Sequence, residues 1–118
     1  MPEQKPEPTS CEAAAAALGL ETVLAPPPGA LIRDGYAGDL LSDVMANAPE
    51  GCAVITIQAH RNTAAVAQLV GASCIVVCNS REVPDDLVAA CRAEGLGIYR
   101  STENQFVVAG RLYKLLHG

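Results

Sequence analysis

The 118-residue sequence predicts a single α/β domain, a mostly parallel sheet covered by helices. Three observations carry that expectation. Two short apolar runs, Cys-Ala-Val-Ile-Thr-Ile from Cys52 and Cys-Ile-Val-Val-Cys from Cys74, enclose one helical repeat. Strands buried on both faces read this way. Strand and helix patterns alternate from Ala53 to the end of the chain. Hydrophobic residues make up 50% of the chain but aromatic ones only 3%, so the core must be built from Ala, Val, Leu and Ile.

Taken in order, residues 1–9 carry three prolines among charged residues and are expected to form a disordered tail, leaving 10–118 as the domain. Ser10 is placed to cap a first helix through Ala13 to Leu18, with Glu12 in its first turn and Gly19 at its end. Residues 20–25 hold a short strand's worth of apolar side chains. Pro26-Pro27-Pro28-Gly29 is a stiff loop. Residues 30–36 are a weaker strand. Asp39 is a good N-cap for a helix in which Leu40, Leu41, Val44, Met45 and Ala48 form one apolar stripe. Residues 53–57 and 74–78 are expected to be adjacent parallel strands, with Val54, Ile55, Ile57, Ile75, Val76 and Val77 buried. The helix over 63–70 between them should be capped by Asn62 or Thr63 and should bury Val66, Leu69 and Val70, with Gly71 as its exit.

Pro84-Asp85-Asp86 starts the next helix, whose inward residues are Leu87, Val88 and Cys91. A short strand over 98–100 follows. Thr102 and Gln105 have the spacing of a capping box. Val108, Ala109, Leu112, Leu115 and Leu116 make the stripe of a last helix, with Arg111, Lys114 and His117 toward its C-terminus.

Composition also limits function. The net charge of −5, with no basic run, argues against nucleic acid. No apolar stretch approaches membrane-spanning length and no signal-peptide pattern is present, so the expected location is the cytoplasm. The five cysteines, Cys11, Cys52, Cys74, Cys78 and Cys91, include no Cys-x-x-Cys pair. They read as small buried hydrophobes in a reducing compartment, and neither metal nor cofactor is expected. Cys74 and Cys78 should share one face of their strand.

In an open parallel sheet, ligands bind beyond the C-terminal ends of the strands. The candidate rim is therefore Gln58, His60, Arg61, Asn62 and Thr63 after one strand, Asn79 and Ser80 after the next, and Asp39 after an earlier one. The first loop opens a helix, whose N-terminus offers backbone N–H groups and a partial positive charge. With Arg61 it suits a phosphate or carboxylate. His60 with Asp39 is the one pairing with acid–base potential, though neither a nucleophile motif nor a phosphate-binding glycine loop accompanies it.

Three stretches, residues 35–46 (Gly-Tyr-Ala-Gly-Asp-Leu-Leu-Ser-Asp-Val-Met-Ala), 54–67 and 106–115, together resemble the DRTGG domain family. The tetrad that names the family is absent, and Gln58 to Thr63 occupies its region. The resemblance implies a compact α/β fold similar to the N-terminal domain of HPr kinase, serving as a regulatory or oligomerising module. It also implies a homodimer, and for small stand-alone members an association with iron hydrogenases. The sequence-level expectation is thus a non-enzymatic regulatory domain that binds a small anionic or nucleotide-like ligand. A protein-interaction partner of a redox enzyme, with no ligand of its own, is the first alternative. An enzyme using His60 with Asp39 is the second.

Overall fold

Among residues 6–118, which the computed structural model describes, the chain forms β1 (Thr9–Ser10), α1 (Cys11–Leu18), β2 (Glu21–Leu24), β3 (Leu31–Ile32), β4 (Asp34–Ala37), α2 (Leu41–Asn47), β5 (Cys52–Thr56), α3 (Arg61–Val70), β6 (Cys74–Val77), α4 (Asp85–Glu94), β7 (Gly97–Arg100) and α5 (Gln105–His117). The main sheet has the order β2-β7-β6-β5-β4. β4, β5, β6 and β7 are mutually parallel, and β2 closes one edge antiparallel to β7. The expected α/β architecture is therefore present, with β5 and β6 paired parallel from Ala53 opposite Cys74 to Thr56 opposite Val77.

The strand pleat sorts the core into two faces. Ala53, Ile55, Cys74, Val76, Cys78 and Tyr99 pack with α1 and α5. Cys52, Val54, Ile75, Val77 and Ile98 pack with α2, α3 and α4. This makes three layers, α1 and α5 over the sheet and α2, α3 and α4 beneath it. Each parallel strand from β4 to β7 is added on the same side of the last, so the three intervening helices share one face. The other face is covered by α1 and α5, from the two ends of the chain.

Burial on both faces is what the continuous apolar runs encode. Val54, Ile55, Ile75, Val76 and Val77 are each at most 2% exposed. Removing such a side chain from water contributes roughly 1.5–3 kcal/mol. Ile57 is only half-buried, because it lies past the end of β5. Cys74 and Cys78 do share a face, and all five cysteines are buried.

Several local expectations are corrected. The run over 30–36 is divided: Leu31–Ile32 pairs with β1, while Asp34–Ala37 joins the main sheet beside β5. The tail expectation for residues 1–5 lies outside the described residues. Within 6–9, the Glu7 amide donates to the Leu116 carbonyl and Thr9 pairs with Ile32. In α2 only Val44 is buried, while Leu40 and Met45 are 68% and 49% exposed. In α3 the inward residues are Thr63, Ala64 and Ala67, and Leu69 is 64% exposed. Small side chains let α3 lie close to the sheet, so Leu69 turns outward, while Val66 packs against the core only in part and Val70 is half-buried. α5 is capped by Asn104, whose side chain accepts from the Val107 amide, rather than by a Thr102–Gln105 box. Gly71 ends α3 as expected, at φ +74°, with its amide on the Ala67 and Gln68 carbonyls.

Candidate functional site

Because β4, β5, β6 and β7 run parallel, the loops that follow them share one edge of the sheet. Asp39 organises that edge. It was expected to cap α2, but the cap position is Leu40, with no side-chain cap bond. Asp39 Oδ1 instead accepts three hydrogen bonds: from Thr56 Oγ1 at 2.9 Å, from the Ile57 amide at 2.9 Å and from Gln105 Nε2 at 3.0 Å. These groups belong to the end of β5 and the first residue of α5. A single carboxylate thus ties together a loop after β4, the end of β5 and a helix from the opposite face. Charge-assisted bonds of this kind are stronger than neutral ones.

Thr56 relays the contact. Its hydroxyl donates to Asp39 and accepts from the Gln58 amide at 3.0 Å. Gln58 in turn receives the Thr63 hydroxyl on its carbonyl at 2.7 Å. Thr63 is buried, so its role is to brace the loop from beneath. Gln58, His60, Arg61 and Asn62 are exposed on the loop itself.

His60, not Asn62 or Thr63, caps α3. Its Nδ1 accepts from the Asn62 amide at 3.1 Å. The Thr63 amide donates to the His60 carbonyl. With the Asn62 and Thr63 amides taken and Arg61 exposed, the first turn of α3 offers a smaller donor set than the loop alone implied. Among the described residues no hydrogen bond or ion pair joins His60 to Asp39, and His60 Nδ1 and Asp39 Oδ1 each serve other partners.

The β6 end is built differently. Asn79 and Ser80 both adopt left-handed backbone, at φ 61° and 53°. Non-glycine residues enter that region at a cost of roughly 1–2 kcal/mol each. The turn is held against this by the Asn79 amide on the Glu103 carbonyl and the Ser80 amide on the Ser101 carbonyl. Arg100 clamps it from the side, donating to the Ser80 and Arg81 carbonyls and pairing with Glu21 at 3.4 Å. Asn79 and Ser80 are exposed. Beneath them the Cys78 thiol is pushed up to about 11, first by burial and then by the charge of Asp39. It stays a neutral thiol at ordinary pH.

Thr56, Arg100 and Gln105 are parts of this edge that sequence reading did not place there, whereas Ser101 was expected at a strand end. Thr56 carried a signal, as a hydroxyl inside an otherwise apolar strand run. Gln105 was visible but read as a capping residue. The two parts of the rim meet through the Cys78 amide, which donates to the Thr56 carbonyl. The structure thus brings Asp39, Gln58, His60, Arg61, Asn62, Asn79 and Ser80 to one edge, with Thr63 below.

The same fold occurs in the crystal structure of the CBS and DRTGG domains of the regulatory region of a Clostridium perfringens pyrophosphatase, complexed with the activator diadenosine tetraphosphate. The likeness has a TM-score of 0.77 and covers 92% of this chain at 11% identity. The chain spans 48% of the length of that one. No protein-family model and no curated protein matches the sequence. At this identity the likeness speaks for the fold, and it supports the DRTGG-like architecture that the resemblance implied. No helix among the described residues is long and apolar enough to cross a membrane.

Proposed function

We propose that this chain is a regulatory domain that binds a small anionic, nucleotide-like ligand at the rim of its sheet and acts without catalysing a reaction itself. The observation that carries the reading is the fold shared with a regulatory region whose activator is a dinucleoside polyphosphate. The rim supports it. Arg61 offers a permanent charge at a helix start, the Asn79–Ser80 turn is held in a strained shape, and Asp39 anchors the loops between. Thermal unfolding with AMP, ATP, diadenosine tetraphosphate and small organic acids tests it. A binder at about 100 times its Kd should add roughly 2.7 kcal/mol of stability. Arg61→Ala should abolish that gain and leave the unliganded midpoint in place. If no compound shifts the midpoint, or the variant responds like the parent, the reading fails.

The domain is read as a cytoplasmic homodimer that pairs through α5. Phe106 and Tyr113 are 75% and 66% exposed and lie two turns apart on that helix. The β4 edge suits pairing less well, because the Asp34 carboxylate covers the Gly35 amide. Light scattering should give a dimer mass that Phe106→Ser with Tyr113→Ser halves. The same exposed face is what would serve the second reading, a docking module for a redox enzyme. A parent protein that stays monomeric at high concentration favours that second reading over the first.

A further inference from the structure

A groove of about 490 Å³ opens on the α1 side of the sheet, between α1, the loop over 26–29 and β7. None of the rim residues lines it. We propose that this groove is a second small-molecule site, for an uncharged or cationic compound whose flat ring presents a hydrogen-bond acceptor to the Tyr99 hydroxyl.

Tyr99 is the observation that points to a ligand. It lines the groove, yet it is only 2% exposed. Its hydroxyl makes no hydrogen bond among the described residues, while no fully buried side-chain oxygen is left without a partner. Both hold together when the sliver of Tyr99 reached from outside is the hydroxyl, and the space it meets is the groove. A tyrosine this deeply buried ordinarily gives its hydroxyl a partner. Burial, with the nearby Cys11, Cys74 and Glu12, pushes this phenol up to about 12. It therefore remains a proton donor, and the matching group on a ligand is an acceptor.

The walls are already set. Pro26 lies so close to Gly97 that a Cβ there would stand 2.9 Å from the proline ring. The Ala30 amide closes the loop on the Pro27 carbonyl at 3.2 Å. Proline fixes its own φ, so little order is lost on binding. Ala15, Ala16 and the prolines give flat apolar sides, and the volume falls within the roughly 300–1,000 Å³ of small-molecule pockets. Charge selects against anions. Among the described residues, Glu12 is the single charged side chain of the lining. The anion-attracting amides at the start of α1 are largely occupied, Cys11 by the Ala30 carbonyl and Ala13 by Ser10 Oγ.

The test is an amide-resolved NMR titration of the full chain with adenosine, nicotinamide and the cationic 1-methylnicotinamide, each of which carries an acceptor on or beside a flat ring, set against AMP and benzoate. At least one of the first three should perturb Ala16, Leu20, Thr22 and Tyr99, and the two anions should not. Tyr99→Phe, which removes only the unpaired hydroxyl, should raise that compound's dissociation constant about fivefold or more. Ala16→Phe should block it while leaving the fold's spectrum intact. The proposal is overturned if none of the three reaches these residues by tens of millimolar, if the anions bind there equally, or if Tyr99→Phe binds like the parent. AMP acting on residues 58–63 in the same experiment reports on the rim alone, so either site can fail without the other.

Discussion

Asp39 and His60 are residues whose sequence neighbours suggested one role and whose spatial neighbours gave another. Asp39 sits where an N-cap belongs, but its oxygen is drawn to groups 17, 18 and 66 positions away. Nothing local encodes contacts at that separation, so this part of the rim was not legible in the sequence. The position of Asp39 beyond a strand end was legible, and it placed the residue correctly even though its task was misread. We expect Asp39→Ala to cost about 2–3 kcal/mol in urea unfolding, because it strips three donors of their acceptor, and Asp39→Asn to cost less. His60 behaves as a cap. His60→Ala should cost about 1 kcal/mol and His60→Asn should recover most of it, since asparagine caps well. Equal losses in the two His60 variants would show that something other than the cap bond is at stake.

At the scale of the element, α3 shows why strand positions were easier to read than helix faces. A strand buried on both sides needs only a continuous apolar run, and both β5 and β6 supply one. A helix face depends on how closely it lies to the sheet. In α3 the contact is made by Ala64 and Ala67, each 1% exposed, so the stripe of larger residues that hydropathy favours is not the buried one. Leu69→Gln should therefore change stability by no more than about 0.5 kcal/mol. Ala67→Leu should cost about 1–3 kcal/mol, by overfilling the space between helix and sheet. The reverse order of effects in thermal unfolding would mean that α3 is rotated. The β2 edge is a comparable case. Its four residues have no signal that distinguishes antiparallel from parallel pairing, and the direction is set by the short return over the proline loop.

Across the whole molecule, the core's chemistry gives a prediction about pH. Burial pushes the thiols of Cys52, Cys78 and Cys91 up to about 11. In the unfolded chain such thiols titrate near their ordinary value of about 8.5. The folded protein then holds protons that the unfolded chain releases, so stability is intact below about pH 8.5 and falls as pH rises through about 11. Urea midpoints at about pH 8 and pH 10.5 should differ in that direction, and replacing Cys91 by Ala should flatten the slope while lowering stability at both. The helix-covered parallel sheet was foreseeable from alternation and composition, because each parallel connection brings its own helix, but its division into three layers was not. The candidate edge was foreseeable only as an edge.

The central claim is that this edge takes an anionic ligand. An amide-resolved titration of the full chain with diadenosine tetraphosphate tests it most directly. The account predicts saturable shifts gathered on Asp39, Gln58, His60, Arg61, Asn62, Asn79 and Ser80, and their loss in Arg61→Ala. Saturable binding whose shifts fall elsewhere, or no shift at all with this compound, AMP or ATP, would contradict it.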